Sequence, residues 1–120
     1  MDDKNSSTFE PSDFSHAFEC LKTLEKIMFT TGAYPVLHYL SYHYLRNKDL
    51  KILIPELHDG QLGIVLNLLE GNKFILRGAE EPNSTINVIR ITNYGLERFN
   101  KFHDFMNEFG TTHKQMMEGK

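Results

Sequence analysis

Hydrophobic residues recur at steps of three and four along four stretches of the chain, a spacing typical of helices that bury one face. The stretches cover about residues 12–29, 35–47, 60–70 and 93–110. Their apolar positions are Phe14, Phe18, Leu21, Leu24 and Met28, then Val36, Leu37, Leu40, Tyr44 and Leu45, then Leu62, Val65, Leu66 and Leu69, and finally Leu96, Phe99, Phe102, Met106 and Phe109. The pattern predicts four amphipathic helices, the last one capped by Asn93 and ending at Gly110.

Two other stretches break the helical pattern. A short apolar run precedes Pro55, and the residue before a proline favours extended backbone, so we expect a strand or turn there and a short helix at about 55–58. Residues 74–76 and 86–91 are rich in strand-forming side chains and flank a polar segment. They predict a β-hairpin with a polar tip.

The order of these elements is helix, helix, short helix, turn, helix, hairpin and long helix, which is the layout of a winged helix-turn-helix. We therefore expect an α+β, mostly helical fold with a two-stranded wing and a long C-terminal dimerisation helix. A chain of 120 residues suits one domain. The predicted organisation is a polar lead over residues 1–11, the domain over 12–110 and a tail over 111–120.

Composition narrows the function classes. The net charge of −3 argues against a protein that coats nucleic acid by bulk attraction, although residues 46–101 carry eight basic and seven acidic side chains. Cys20 is the single cysteine, so no internal disulfide can form. The acidic start is neither a secretory signal nor a transit peptide, and no apolar run approaches the roughly 20 residues that cross a bilayer. We expect a cytoplasmic protein without a membrane segment.

Catalytic and metal-binding motifs are missing from the sequence. It contains no GxSxG elbow, P-loop, GxGxxG turn, CxxC pair or HExxH motif, and Cys20 has no basic cluster beside it. The histidines His16, His38, His43, His58, His103 and His113 are expected to be structural. We predict that the protein is not an enzyme and holds neither metal nor cofactor.

Two segments carry a resemblance to a known group. The stretch from Gln61 to Arg77 looks like the recognition helix and first wing strand of the MarR and PadR classes of bacterial regulators, and Ile91-Thr92-Asn93-Tyr94-Gly95 resembles their Leu-Thr-x-x-Gly segment. The resemblance covers roughly residues 35–109. It implies a dimeric transcriptional regulator that binds double-stranded DNA with helix 60–70 in the major groove.

Eight residues are candidates for DNA contact. Gln61 and Asn67 are the neutral polar side chains able to contact base edges, and the amides of Gly60 and Gln61 suit phosphate. The basic candidates for the DNA backbone are Lys73, Arg77 and Arg90 on the hairpin and Lys48 and Lys51 ahead of the helix pair. The alternative for each is an ordinary solvated helix, strand or turn position.

The last predicted helix has more phenylalanine than one small core usually absorbs. Its candidate dimerisation residues are Phe99, Phe102, Phe105, Met106 and Phe109. The alternative is packing onto Phe14, Phe18 and Leu21 of the first helix of the same chain. We expect a mixture of the two, within a homodimer.

Two other functions are consistent with the same fold. Plasmid or phage partition adaptors, which bind centromere DNA, are also dimeric winged helices of this size. A winged helix that binds a protein partner instead of DNA would explain the net charge of −3 and the absence of Lys and Arg from helix 60–70. Ser84-Thr85 stand where MarR-type wings carry acidic and arginine residues, which argues against insertion of a wing arginine into the minor groove.

Overall fold

A computed structural model describes residues 11–119, with side chains described from Ser15 onward. The elements are α1 (Pro11–Met28), α2 (Ala33–Leu40), α3 (Asn47–Leu53), α4 (Asp59–Gly71), β1 (Ile75–Ala79), β2 (Asn87–Ile91) and α5 (Asn93–Glu118). The two strands form an antiparallel sheet in which Ile75 pairs with Ile91. The expected α+β, mostly helical class with a hairpin and a long C-terminal helix is confirmed. The predicted lead lies outside the described residues except for Pro11, where α1 begins.

The second helix is shorter than predicted. It ends at Leu40, and the backbone N–H of Ser41 closes its last turn on the carbonyls of Leu37 and His38. Leu45 then runs antiparallel to Ile89, with N–H to carbonyl distances of 3.1 and 2.7 Å in the two directions. Leu45 therefore belongs to a short extended segment beside β2, where its backbone groups are satisfied by the hairpin instead of by a helix.

The prediction of a strand or turn followed by a helix at 55–58 is wrong. The short helix, α3, comes before Pro55 and ends at Leu53, and residues 55–58 form a turn. Asp49 favours the earlier start because its carboxylate accepts a hydrogen bond from the backbone N–H of Arg46 at 2.9 Å. The constraint from the proline falls on Ile54, which leaves helical geometry with φ −128° and ψ 70°.

Both ends of α5 differ from the prediction. Thr92, not Asn93, caps the helix, because its hydroxyl oxygen accepts from the N–H of Gly95 at 2.8 Å. The same hydroxyl donates to the carbonyl of Lys73 at 2.7 Å and so ties the helix start to the hairpin. The helix runs through Gly110 to Glu118, so most of the predicted tail is helical.

The core lies between the end of α1, α2, α3, α4, the start of α5 and the hairpin. The largest fully buried side chains are Val36, Leu37, Leu40, Leu50, Val65, Leu66, Leu69 and Ile75. The first part of α1 and the second part of α5 lie outside this core, and the described part of the molecule measures 63 × 37 × 23 Å. None of its helices is both long enough and apolar enough to span a membrane.

Candidate nucleic-acid interface

Helix α4 presents one face to the core and one to solvent. Leu62, Val65, Leu66 and Leu69 are buried. The opposite side carries Gly60, Ile64, Asn67 and Gly71, which are all exposed. This outer face has no cationic side chain, and Ile64 at its centre is 57% exposed. A groove-binding role for α4 therefore depends on neutral and apolar contacts.

The two candidate base-contacting side chains both have partners within the chain. The Gln61 amide donates to the carbonyl of Thr31 at 3.0 Å and so ties the start of α4 to the loop between α1 and α2. The Asn67 side-chain oxygen accepts from Arg77 Nη2 at 2.8 Å. Gln61 keeps its side-chain oxygen as an acceptor and Asn67 keeps its amide nitrogen as a donor.

Arg77 joins the first wing strand to α4. Its Nε and Nη2 atoms lie 3.0 and 2.6 Å from Glu70 Oε1, so the guanidinium is paired with the carboxylate while it also holds Asn67. An arginine neutralised in this way offers little net charge to a phosphate. Contact with DNA through Arg77 would require it to leave Glu70.

Arg90 belongs to a second cluster, which extends along the hairpin to Glu80 near its tip. Its Nη2 donates to the carbonyl of Glu80 at 2.8 Å, and its guanidinium lies 4.3 Å from the centre of the Tyr44 ring. Tyr44 donates its hydroxyl to Glu80 Oε2 at 2.9 Å. That hydrogen bond, together with partial desolvation, raises the pKa of Tyr44. The cluster fixes the hairpin against the segment that precedes α3.

The remaining candidates differ in whether their charges are paired within the described part of the chain. Lys51 Nζ lies 3.4 Å from an Asp59 carboxylate oxygen. Lys48 and Lys73 are exposed, and neither ammonium group has an ion-pair partner within residues 11–119. Lys73 has a positive φ of 69° where the chain turns from α4 into the hairpin. Gly60 is open to solvent, and the amides of the first helical turn have no acceptor within the helix.

Residues 46–91 carry six basic and six acidic side chains, so this part of the surface is electrically balanced. The cations are evident in the sequence, but Glu70, Glu80 and Tyr44 are not recognisable there as their partners. These pairs join different elements, and no spacing within one helix or strand indicates them. Only the position of the hairpin against α4 and the segment before α3 brings the charges together.

The candidate dimerisation residues fall into two groups. Phe99 is buried and packs on Tyr34, with ring centroids 5.1 Å apart, and half-buried Phe102 contacts Phe29 at 6.0 Å. The other three, Phe105, Met106 and Phe109, are 63%, 40% and 57% exposed. The predicted in-chain partners Phe18 and Leu21 are about half exposed, and the side chain of Phe14 lies outside those described.

A cavity of about 700 Å³ opens between α1 and α5. Its walls include His16, Cys20 and Leu24 from α1 and Phe102 and Phe105 from α5. The described residues contain no group of three His, Cys, Asp or Glu side chains placed to hold a metal ion.

Comparison with protein-family models, with curated proteins and with solved structures gives no match for this chain.

Proposed function

We propose that the chain is a winged helix-turn-helix protein that binds double-stranded DNA at specific sequences and regulates transcription. The observation that carries the proposal is the arrangement around α4. A short turn joins α3 to α4, the hairpin follows directly, and Leu45 pairs with β2 ahead of α3. In proteins with this order of elements the second helix of the pair enters the major groove and the hairpin reaches the flanking backbone.

The exposed groups suit these roles in different ways. Asn67 lies on the outer face of α4, where its amide nitrogen can donate to a base acceptor in the major groove. Lys48 near the start of α3 and Lys73 just past the end of α4 have uncompensated charge for phosphates. The first-turn amides of α4, those of Gly60 and Gln61 among them, favour an anion as well. Sequence discrimination is therefore assigned to α4, and general affinity to the lysines.

The test is a titration of purified variants against a selected site and against random DNA. We expect Asn67→Ala to weaken binding to the selected site by about tenfold and binding to random DNA much less, because it removes a base contact. Lys73→Ala should weaken both and lower the slope of log affinity against log salt by about one. The matched control is Lys114→Ala, which removes an equal charge from the exposed end of α5. Equal behaviour of all three variants would contradict the proposed face.

A specific observation favours a second candidate, a winged helix that binds a protein partner. Ile64 is exposed at the centre of α4, Glu70 neutralises Arg77, and Glu80 and Glu81 add negative charge to the hairpin. Apolar and acidic groups in that arrangement suit a basic, partly apolar protein surface better than phosphates. For this function Ile64→Glu should abolish binding of the partner, whereas Lys73→Ala should leave it unchanged.

A further inference from the structure

The two charged side chains of α4 are both paired within the chain. All 13 residues of the helix are described, and Asp59 and Glu70 are the charged ones among them. An Asp59 carboxylate oxygen lies 3.4 Å from Lys51 Nζ, and Glu70 Oε1 lies 2.6 Å from Arg77 Nη2. These cations offset the repulsion that each carboxylate would exert on phosphates. The surface that α4 offers to a major groove is therefore close to neutral.

The contact with Arg77 determines what Asn67 can offer to a base. Arg77 Nη2 lies 2.8 Å from the Asn67 side-chain oxygen, and its guanidinium occupies that side of the amide. A bidentate contact with adenine needs the oxygen as well as the nitrogen. The nitrogen alone can donate to N7 of either purine or to O4 of thymine, and it is mismatched to the amino group of cytosine. While the contact holds, Asn67 does not identify a base pair by itself.

Ile64 is the apolar side chain that projects from the middle of the same face. It is 57% exposed, and a Cβ atom added at Gly60 or Gly63 would meet nothing within 4 Å. The space beside Ile64 is therefore open on the N-terminal side. An exposed isoleucine does little for the helix itself, because its β-branched side chain has a lower helix propensity than alanine or leucine. Its position suits contact with another molecule.

Ile64 and Asn67 lie about one turn apart on α4. Three residues at a rise of 1.5 Å separate them by about 4.5 Å along the helix axis. Successive bases of one DNA strand are about 3.4 Å apart, so the two side chains can reach neighbouring base pairs. The apolar group that base pairs present in the major groove is the C5-methyl group of thymine. Ile64 matches this group, and the amide of Asn67 matches an acceptor beside it.

We infer, on the basis of the proposed function, that Ile64 selects thymine by packing against its C5-methyl group. Among the four unmodified bases, thymine alone carries this methyl group. The recognised half-site then contains a thymine at a fixed position, next to a base that accepts from Asn67. Lys48 and Lys73 add affinity through phosphates without choosing the base.

Replacement of thymidine by deoxyuridine tests this contact, because it removes the methyl group and keeps O4. The full chain is titrated against a selected site in which one thymidine at a time is replaced. We expect one replacement in each half-site to weaken binding by about fourfold, the effect of one buried methyl group, and the others to have little effect. Replacement throughout random DNA should change binding much less, since phosphate contacts dominate there.

Ile64→Ala assigns the effect to the side chain. This variant should bind the thymidine site more weakly and should bind the thymidine and deoxyuridine forms equally. The matched control is Ile52→Ala, which shortens an isoleucine that is 73% exposed on α3 and should keep the fourfold difference. An influence of the methyl group on DNA stiffness would persist in Ile64→Ala. Circular dichroism confirms that both variants fold.

Equal binding of the two DNA forms by the unmodified chain would overturn the inference, and so would a difference that Ile64→Ala retains. In both cases the chain would still bind its selected site, so the proposed function would stand. A selection that yields no site would contradict the proposed function and the thymine contact together. Ile64 would then be better explained by an apolar protein partner.

Discussion

At the scale of single residues, the proposed DNA-binding surface is controlled by its acidic side chains. The Glu70 carboxylate forms an ion pair with Arg77. Glu80 accepts a hydrogen bond from the Tyr44 hydroxyl with its carboxylate and another from Arg90 with its backbone carbonyl. Arg77 and Arg90 therefore each donate hydrogen bonds to an oxygen of a glutamate within the chain. Any phosphate binding by Arg77 and Arg90, beyond that of the unpaired lysines, therefore depends on whether these contacts open.

Glu70→Gln tests this dependence. The substitution removes the charge that competes with phosphate for Arg77, so we expect tighter binding to both selected and random DNA. The slope of log affinity against log salt should steepen by about one. Glu97→Gln, which removes the partner of Lys101 on α5, is the control. Anisotropy titrations at several salt concentrations give both quantities, and an unchanged slope would show that Arg77 makes no phosphate contact.

The carboxylate of Asp49 gives a pH-dependent contribution to stability. Hydrogen bonds from the Arg46 backbone N–H and then from its side chain hold the pKa of Asp49 below its ordinary value of 3.8. A lowered pKa in the folded state means that the contribution is present above about pH 4 and is lost as pH falls through the lowered pKa.

Asp49→Asn should therefore lower the free energy of unfolding near pH 7, and the difference from the unmodified chain should shrink as pH falls through the lowered pKa of Asp49. Urea titrations at a series of pH values measure this difference in the free energy of unfolding. Asp104→Asn, which removes an exposed carboxylate from α5, is the comparison. A difference that stays constant down to low pH would contradict a role for the ionised carboxylate.

At the scale of elements, the sequence predicted α1, α4 and the hairpin closely, because each has a regular apolar pattern bounded by a turn or cap. The predictions failed where a contact between elements decides the boundary. Leu45 pairs with Ile89 and so cannot continue α2, and the capping contact of Asp49 starts α3 before the proline. Lys48 and Lys51 lie on α3 and not ahead of the helix pair as predicted, and the pairing of Arg77 and Arg90 with Glu70 and Glu80 depends on packing that no local pattern encodes.

The junction between the hairpin and α5 allows a stringent test of the packing. A Cβ atom at Gly95 would lie 2.3 Å from the carbonyl oxygen of Phe74, a distance that forces the helix and the hairpin apart. Gly95→Ala should lower the free energy of unfolding by about 2 kcal/mol or more. Gly63→Ala, in α4 with nothing within 4 Å of the added Cβ, should raise it by about 0.5–1 kcal/mol. Equal effects in denaturant titrations would contradict the close approach.

At the scale of the whole molecule, the candidate DNA surface and the exposed candidate dimerisation residues lie on different elements. The candidate DNA surface is formed by α3, α4 and the hairpin, whereas Phe105, Met106 and Phe109 lie on the projecting half of α5. Two-fold symmetry would then present two α4 helices and predict a DNA site with two related halves. The electrical balance of residues 46–91 means that such binding would rely on base contacts more than on bulk attraction.

The central claim is specific DNA binding, and selection of DNA fragments on the purified chain at about 50 and 200 mM salt tests it most directly. Random binding should fade at the higher salt, so we expect a single sequence class with two related halves to remain enriched there. Loss of that enrichment with the Asn67→Ala variant would show that α4 contributes to sequence recognition. No enriched sequence at either salt would contradict the claim and leave the protein-binding winged helix as the better account.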